Sequence, residues 1–401
     1  MSNPRVYICD AVRTPVGKLG GMFKKLTALQ LAVPVVQHLI ARNDVPVHLI
    51  DEVIVGQGYG SAEAANIGKA LVLDAQLPDS VCGYSVDRRC ASGLQAIVDA
   101  MMMIQTKRAD LIIAGGAESL SHAPFYSTTA RWGGYGDIQL KDSLKYGRIF
   151  ANGQKHPIKG GMLETAENLR REFAISREEQ DAFSCKSHLR ATRAIAAGKF
   201  KNEILPIEVN GRMFDTDEHP RVDTTVNTLA ALKPVLLQQD SDATVTAGNS
   251  SGQNDAASFC LVASEPMVQR LGLKPMAEIL DWSVAGVPAA TMGLGPVPAI
   301  QKLLDRTGLS LAQMDRIEIN EAFAAQVLAC CRALNFGEDD FERLNVNGSG
   351  ISLGHPIGAT GARIVTSLAN ELIASGAEYG LLSMCIGGGQ GMAAVIRNIH
   401  H

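Results

Sequence analysis

The chain has 401 residues, more than one ordinary hydrophobic core accommodates, so two domains or two similar halves are expected. Charged residues make up 19% and hydrophobic residues 46%, a balance typical of a well-buried α/β protein and not of a disordered chain. The formal net charge of −4 gives no reason to expect nucleic acid as a partner.

Targeting and metal motifs are missing from the sequence. The first residues, MSNPRVYICDAVRTP, lack the succession of basic, apolar and small residues of a signal peptide, and no apolar run is long enough to cross a bilayer. A cytoplasmic protein without a membrane partner is therefore expected, with its eight cysteines reduced. Without a CxxC motif or a histidine pair beyond His400 and His401, no metal site is expected.

The first predicted elements alternate between short apolar strands and helices. VYICDAV (6–12) and EVIVGQG (52–58) are typical of strands, and LQLAVPVVQHLIAR (29–42) is typical of a helix with an internal proline. This alternation predicts an α/β fold with a mostly parallel sheet covered by helices.

Two later segments resemble each other. One begins at Ala91 (ASGLQAIVDAMMMIQTKRADLIIAGGAES) and the other at Ala359 (ATGARIVTSLANELIASGAEYGLLSMCIGGGQ). Each opens with Ala, then Ser or Thr, then Gly, continues as an amphipathic helix and ends in a strand followed by glycines. A duplicated α/β unit is predicted, with Cys90 and Gly358 in matching places before paired helices.

The sequence changes character between the two units, over about residues 121–250. RWGGYGDIQLKDSLKYGRIFANGQKHPIKGG is rich in glycine and polar residues and precedes a strongly helical segment at 175–198. An insertion of this length is more often a lid or a binding loop than a linker.

Cys90 is the first candidate for chemistry, although a cysteine near an apolar strand is usually a small core residue. VDRRCASG places it directly before a predicted helix, where free backbone N–H groups and the positive end of the helix dipole favour a thiolate. The small residues at 91–93 allow a tight turn and the close approach of a substrate. Cys90 is therefore a candidate nucleophile.

Two further candidates lie near the C-terminus. NGSGISLGHPIGATGAR (347–363) places His355 in a glycine-rich loop before a helix, and MCIGGGQG (384–391) places Cys385 at a strand end. Alone, each is more often a structural residue than a catalyst. Together with Cys90 they indicate a site that combines a nucleophile with acid–base groups.

A competing motif is GISLG (350–354), which matches the G-x-S-x-G turn of serine hydrolases and makes Ser352 the nucleophile. That class needs a histidine well downstream of the serine, and only His355 and the terminal pair follow it. The match is interpreted as accidental. GQGYGS, GLGPVP and GGGQGM miss both G-x-G-x-x-G and the P-loop pattern, so a nucleotide-dependent enzyme is not favoured.

Nine blocks in order give the chain a resemblance to the thiolase family nearly from end to end. They are AVRTPVGKLGG (11–21), CASGLQA (90–96), AGGAESLS (114–121), TAENLRREFAISREEQDAF (165–183), TVTAGNSSGQNDAA (244–257), MGLGPVPA (292–299), NEAFAAQ (320–326), GHPIGATGAR (354–363) and CIGGGQG (385–391). The resemblance implies two similar α/β halves in a five-layered αβαβα arrangement. Residues 1–120 and 251–273 then form the first half, 121–250 an inserted loop domain that binds CoA, and 274–401 the second half.

The family cleaves 3-ketoacyl-CoA with free CoA or condenses two acyl-CoA molecules. By resemblance, Cys90 carries the acyl group as a thioester, His355 takes the Cys90 proton, and Cys385 is the second acid–base group. His355 and a water held by Asn320 form one oxyanion hole, and the backbone N–H groups of Cys90 and Gly387 form the other.

The resemblance also implies two groups of substrate contacts. Those with CoA are made by Arg221, Thr228, Ala247, Ser251 and Gly252. Those that line the acyl pocket are Met162, Met292 and Phe323, although core packing explains these apolar side chains about equally well. No bound cofactor is expected, because CoA is a substrate, and a homotetramer is expected.

The chain departs from the usual family pattern at a few positions. Asp87 stands where many members have Asn, Gly161 where short-chain members often have His, and Leu236 where Phe is common. Acetoacetyl-CoA or another short 3-ketoacyl-CoA is the expected substrate. A degradative enzyme for longer chains and a CoA-ester binding protein without catalysis are the alternatives.

Overall fold

The first half of the fold is an α/β unit into which a long segment is inserted. The structure, a computed structural model, describes residues 4–133 and 136–401. Before the insertion the elements are β1 (Val6–Arg13), β2 (Gly17–Lys18), α1 (Ala28–Arg42), β3 (Glu52–Gly56), α2 (Ile67–Asp74), β4 (Cys82–Val86), α3 (Ser92–Gln105) and β5 (Leu111–Ser119). The insertion contains β6 (Phe125–Tyr126), β7 (Lys141–Asp142), α4 (Ser143–Ile149), α5 (Gly161–Glu172), α6 (Arg177–Ala196), β8 (Ile207–Val209), β9 (Arg212–Phe214) and α7 (Val226–Ala230).

The chain rejoins the first half and then builds the second. The returning elements are β10 (Asn254–Ser264) and α8 (Glu265–Leu271). The second half contains β11 (Ala277–Gly286), α9 (Pro296–Thr307), β12 (Arg316–Ile319), α10 (Ala324–Ala333), α11 (Glu338–Arg343), α12 (Gly350–Leu353), α13 (Ile357–Ser375), β13 (Tyr379–Ile386) and β14 (Gln390–Asn398). The predicted helices at 29–42 and 175–198 are confirmed within two residues, and the strand predicted at 52–58 ends at Gly56.

The strands of the two halves meet along one short edge. Their order is β4-β3-β5-β10-β1 in the first half and β11-β14-β13-β12 in the second, and β1 pairs with β11 over two residues, Tyr7 and Ile8. The prediction of a mostly parallel sheet is wrong. Only β3–β4, β3–β5 and β12–β13 are parallel among the described strands, because β10 returns from the insertion in the opposite direction and β14 follows β13 in a hairpin.

The layers follow from where the apolar side chains are buried. Helices α3 and α13 share one core with the inner faces of both sheets, including Ile97, Ile364, Ile112 and Ile396. Helices α1 and α2 cover the outer face of the first sheet, and α9 and α10 that of the second. This is the predicted five-layered αβαβα arrangement.

The two central helices touch through glycines at matching places. A Cβ on Gly93 would lie 2.8 Å from the carbonyl oxygen of Gly358, and one on Gly361 would lie 2.4 Å from the backbone nitrogen of Leu94. Only a residue without a side chain permits this approach. The Ala-Ser-Gly and Ala-Thr-Gly openings therefore bring the starts of α3 and α13 together, and with them Cys90 and His355.

Candidate active site

Cys90 lies in a 3₁₀ turn, Arg89–Ala91, directly before α3. The Ser92 hydroxyl stabilises this turn with two hydrogen bonds. It accepts one from the Arg88 N–H (2.8 Å) and donates one to the Arg89 carbonyl (2.7 Å). Arg89 adopts a φ of 48°, an uncommon conformation for a residue other than glycine. The local sequence thus holds the thiol at the sharp entry of a central helix.

The thiol of Cys90 is not ionised as readily as the sequence suggested. Burial raises its pKa, while the Gly387 N–H, the Arg89 charge and its own backbone N–H act in the opposite direction. The predicted help from the helix start is present, but desolvation outweighs it. A buried thiol of this kind needs a base to become a nucleophile.

His355 has the chemical form of such a base. Its Nδ1 lies 2.7 Å from the Thr360 hydroxyl, which donates its own proton to the Pro356 carbonyl at 2.9 Å. The Nδ1 atom therefore carries the imidazole proton, and Nε2 keeps a free lone pair. Nε2 is buried with no hydrogen-bond partner among the described residues.

Burial and two arginines keep this imidazole neutral. Desolvation, followed by the charges of Arg363 and Arg148, lowers the pKa of His355 to about 3. The loop that carries it is anchored from the first half, since the His355 N–H donates to Asn254 Oδ1 at 2.9 Å. A neutral, anchored imidazole is available at neutral pH to accept a proton.

Cys385 approaches the same centre from β13. It is fully buried in an apolar cluster with Met292 and Phe323, against which Met162 packs. Burial raises its pKa well above the usual value, and the Cys90 charge raises it further. The two thiols are therefore close enough to influence each other electrostatically.

Asn320 and Gly387 supply polar groups around the thiols. Asn320 follows β12 and is completely buried, and both polar atoms of its amide lack partners within residues 4–133 and 136–401. Gly387 lies in the β13–β14 hairpin, where its N–H reaches Cys90. A Cβ at Gly387 would lie 3.5 Å from Met162 Sδ. Donors without protein partners at a reaction centre suit the binding of an oxyanion or of a water.

The predicted substrate residues fall into two groups. Met162, Met292 and Phe323 come together around Cys385, as an acyl pocket requires. Ser251 lies near them, since its N–H donates to the Ala322 carbonyl at 2.9 Å, and Gly252 faces His219. The remaining predicted CoA contacts are exposed, and their binding roles rest on resemblance alone; they are Arg221, Thr228 and Ala247.

Sequence reasoning missed the groups that orient the histidine. Thr360 holds its ring and Asn254 its backbone. Both lie inside blocks already used for the resemblance, GHPIGATGAR (354–363) and TVTAGNSSGQNDAA (244–257). It also missed Arg148, which carries no motif and whose charge contributes to the lowered pKa of His355.

Ser352 does not form a nucleophile turn. It lies on the short helix α12, it is completely buried, and its Oγ is 2.8 Å from the hydroxyl of Ser187. Such a turn needs a strand directly before the serine, and residues 344–349 contain none. The serine-hydrolase alternative is therefore not supported.

In the described residues no group of three or more His, Cys, Asp or Glu side chains is placed to hold a metal ion. No helix within residues 4–133 and 136–401 is long and apolar enough to span a bilayer.

Comparison with known proteins covers almost the whole chain. The family model for the thiolase N-terminal domain matches residues 6–266, and that for the thiolase C-terminal domain matches residues 273–398. A β-ketoadipyl-CoA thiolase of Pseudomonas knackmussii is 44% identical over 98% of this chain and 99% of its own length. An acetyl-CoA acetyltransferase of Syntrophomonas wolfei is 40% identical over 98% of both chains.

Solved structures of thiolase-family proteins also resemble this chain over nearly its whole length. A Bacillus anthracis acetyl-CoA acetyltransferase superposes with a TM-score of 0.93 at 43% identity, over 99% of this chain and 100% of the other. Human mitochondrial 3-ketoacyl-CoA thiolase, solved in complex with CoA, gives a TM-score of 0.93 at 38% identity over 98% of both chains. The likeness therefore extends to sequence, fold and length together.

Proposed function

The chain belongs to the thiolase family of acyltransferases, and we propose that it transfers acyl groups between CoA and a carbon nucleophile through Cys90. In the cleavage direction it splits a short 3-ketoacyl-CoA, with acetoacetyl-CoA as the simplest substrate. In the opposite direction it condenses two acetyl-CoA molecules. The observation that carries the proposal is the His355 imidazole, whose buried Nε2 has no hydrogen-bond partner in the described part of the chain, in a centre that also holds two thiols.

The first step forms the acyl-enzyme. His355 takes the Cys90 proton on Nε2, and the thiolate attacks the acetyl-CoA carbonyl carbon. The C–S bond to CoA breaks, and CoA leaves as a thiol with the proton that His355 held. One thioester replaces another, so the intermediate lies close in energy to the substrate. The raised pKa of Cys90 supports the need for this base.

The second step makes or breaks the carbon–carbon bond. In synthesis, the Cys385 thiolate removes the α-proton of a second acetyl-CoA, and the carbanion attacks the acetyl carbon on Cys90, whose sulfur leaves as a thiolate. The proton on Cys385 then passes to the Cys90 thiolate, which restores both groups to their starting forms. In cleavage the same bond breaks, and the Cys385 thiol protonates the departing carbanion. The burial of Cys385 supports its role as a proton donor, because desolvation favours the thiol form.

Two sets of donors stabilise the oxygen anions of these steps. The Asn320 amide has no hydrogen-bond partner among residues 4–133 and 136–401, and it would hold a water. That water and His355 serve the enolate oxygen of the second acetyl-CoA. The N–H groups of Gly387 and Cys90 serve the oxygen of the thioester on Cys90, and their action on the Cys90 sulfur supports this assignment.

A degradative thiolase for longer 3-ketoacyl chains is the second candidate. Gly161 and Leu236 stand in the region that shapes the acyl pocket, and one of the similar solved structures is that of a human mitochondrial 3-ketoacyl-CoA thiolase. Cleavage rates across 3-ketoacyl-CoA substrates of increasing length separate the two. A homotetramer in the cytoplasm stays a prediction, which light scattering tests for the assembly.

The proposed function is tested by incubation of the full-length protein with acetyl-CoA, followed by intact mass and a peptide map. The acetyl group is expected on the peptide that contains Cys90. Acetylation elsewhere, or none at all under conditions in which CoA is bound, contradicts the proposal.

A further inference from the structure

Glu118 is a buried carboxylate at the end of β5 to which the proposed mechanism gives no role. It lies in AGGAESLS (114–121), one of the blocks that carry the resemblance, and the residue is 0% exposed. Unlike the buried Glu203, which pairs with Arg13, Glu118 forms no salt bridge within residues 4–133 and 136–401. Burying a charge without a cation costs free energy, so the contacts that Glu118 does make are informative.

Backbone N–H groups from two separate segments bind this carboxylate. Its Oε2 accepts from the Gly58 N–H at 2.8 Å and from the Gly358 N–H at 3.0 Å. Its Oε1 accepts from the Tyr59 N–H at 3.2 Å. Gly58 and Tyr59 form the bend after β3, and Gly358 lies in the first turn of α13. One side chain therefore joins β5, the bend after β3 and α13, which are distant from one another in the sequence.

The bond to Gly358 fixes the helix start that follows the proposed base, His355. A Cβ on Gly116 of β5 would lie 2.0 Å from the Gly358 carbonyl oxygen, and one on Gly358 would lie 2.7 Å from the Cα of Gln57. Only glycines permit backbones to approach so closely. The start of α13 therefore lies directly against the ends of β3 and β5, and Glu118 bonds it there, three residues from His355.

The bonds to Gly58 and Tyr59 lead to the proposed nucleophile. The Gly58 carbonyl accepts from the Arg89 guanidinium at 2.8 Å, and the guanidinium carbon lies 5.4 Å from the centre of the Tyr59 ring. Arg89, with its φ of 48°, directly precedes Cys90. The bend that Glu118 holds is therefore bound to the residue from which the chain enters Cys90.

The bend, the carboxylate and the loop of the base also meet at one point. A Cβ on Gly58 would lie 3.1 Å from Glu118 Oε2 and 2.8 Å from Cγ2 of Ile357, the second residue after the proposed base. For Gly60, in the same segment after β3, the nearest contact of an added Cβ is 3.7 Å away. A shift of the carboxylate would therefore displace the loop of the base, and a methyl group at position 58 would crowd the same place.

We propose that Glu118 is a positioning residue for the acyl-transfer reaction, which holds His355 and Cys90 at the separation that proton transfer between them requires. The proposal rests on the proposed function, because it uses the roles given there to His355 and Cys90. The three hydrogen bonds of Glu118 go to backbone N–H groups, so it acts through the segments that carry the base and the nucleophile. A displacement of about 1 Å between reacting groups can lower a rate by about a hundredfold.

Alkylation of Cys90 by iodoacetamide tests this role without any acyl transfer. The rate is measured on the Cys90 peptide of the full-length protein at about pH 8.5, where Glu118 is ionised although burial raises its pKa. Glu118→Gln keeps the side-chain length but places an amide N–H₂ group against backbone donors. It is expected to slow alkylation by about threefold to tenfold. In a His355→Ala background the same change should slow it by about twofold or less, because no base is left to position.

Steady-state thiolysis of acetoacetyl-CoA gives a second measurement. Glu118→Gln is expected to lower kcat by about tenfold to a hundredfold and to change the KM for CoA by about twofold or less, because a positioning residue affects the reacting groups and not CoA binding. Glu118→Asp keeps the charge at a shorter reach, so it should retain part of the kcat that Glu118→Gln loses.

Matched controls separate positioning from a general loss of stability. Gly58→Ala leaves the carboxylate intact and should still lower kcat, whereas Gly60→Ala should not. Asp51 lies at the opposite end of β5, where its Oδ2 accepts the N–H groups of Asp110 (2.7 Å) and Leu111 (3.0 Å). Asp51→Asn should therefore leave kcat unchanged. Urea unfolding of every variant shows that the proteins compared are folded.

Two results overturn the positioning role while the proposed function stands. One is a wild-type kcat and alkylation rate in folded Glu118→Gln. The other is an equal slowing of alkylation with and without His355, which indicates that Glu118 supports only the fold. If Glu118→Gln does not fold, the glycine pair decides, and equal kcat values in Gly58→Ala and Gly60→Ala overturn the proposal. If acetyl-CoA leaves wild-type Cys90 unmodified, the proposed function fails, and the alkylation comparison still shows whether Glu118 positions His355.

Discussion

The catalytic centre and the insertion beside it are built in different ways. Asn320 and Cys385 are 0% exposed and His355 is 6% exposed, and each stands at or near the end of an element that is packed in the layered core. Arg221 and Thr228, two of the predicted CoA contacts, are exposed on the insertion. The groups proposed for catalysis are thus held by the core, while these two predicted CoA contacts lie where packing tolerates change.

The same contrast appears in the electrostatics. Desolvation raises the pKa of both thiols and lowers that of His355 to about 3. On the exposed part of the insertion, water screens the charges, and a single side chain contributes little. Substitutions should therefore have large effects at the centre and graded effects on the insertion.

The largest loss of activity is expected when the proposed nucleophile is replaced. Cys90→Ala removes the only atom proposed to carry the acyl group, so the acyl-enzyme should be abolished. Intact mass after incubation with acetyl-CoA measures this directly. Persistent acetylation of the variant on another residue would contradict the assignment of Cys90.

Cys385→Ala should separate the two half-reactions. The variant is expected to be acetylated by acetyl-CoA at a normal rate, because Cys90 and His355 are intact. Condensation should fall by about 10²- to 10⁴-fold, the usual contribution of a positioned acid–base group. Acetoacetyl-CoA formation is the measurement, and a normal condensation rate would remove Cys385 from its role.

His355→Ala should slow the alkylation of Cys90 by iodoacetamide at neutral pH by about tenfold or more, because the thiol loses its base. In the wild-type protein the pKa of His355 is lowered to about 3, so the alkylation profile should show no inflection near pH 6.5. The pKa of His355 is lower in the folded protein than in the unfolded chain. The free energy of unfolding should therefore decrease as the pH falls from the unfolded pKa of about 6.5 towards the folded pKa of about 3. An unchanged alkylation rate in the variant would exclude His355 as the activating base.

Gly361→Ala should weaken the core that holds the centre. Its Cβ would lie 2.4 Å from the Leu94 backbone nitrogen, so the central helices must separate, at a cost of about 1–3 kcal/mol in the free energy of unfolding. Gly286→Ala is the control, since a Cβ there meets nothing within 4 Å. Urea unfolding measures both, and equal midpoints would show that the helix contact is not as tight as described.

The smallest effect is expected on the insertion surface. Arg221→Ala should raise the KM for CoA by about two- to fivefold and leave kcat nearly unchanged, because an exposed charge contributes at most about 1 kcal/mol. Steady-state thiolysis at varied CoA concentration measures this. A large loss of kcat would place Arg221 in the catalytic centre and contradict the described difference between that centre and the insertion surface.

Much of the fold was accessible from local patterns. The strand at 6–12, the helix at 29–42 and the paired Ala-Ser-Gly and Ala-Thr-Gly openings are short-range signals, and the structure confirms them. The direction of the strands was not accessible. Strand β10 pairs antiparallel with β5 only after an insertion of about 130 residues, and no local pattern records where such a segment returns.

The sequence by itself determined the family, the three reactive side chains proposed for catalysis and the glycines that border them, because these depend on residue identity and short spacing. Only the tertiary structure decided that the Nδ1 of His355 donates to Thr360, that burial outweighs the helix start at Cys90, and that burial lowers the pKa of His355. Protonation and charge pairing depend on desolvation and on neighbours distant in the chain, which spacing along a sequence does not encode.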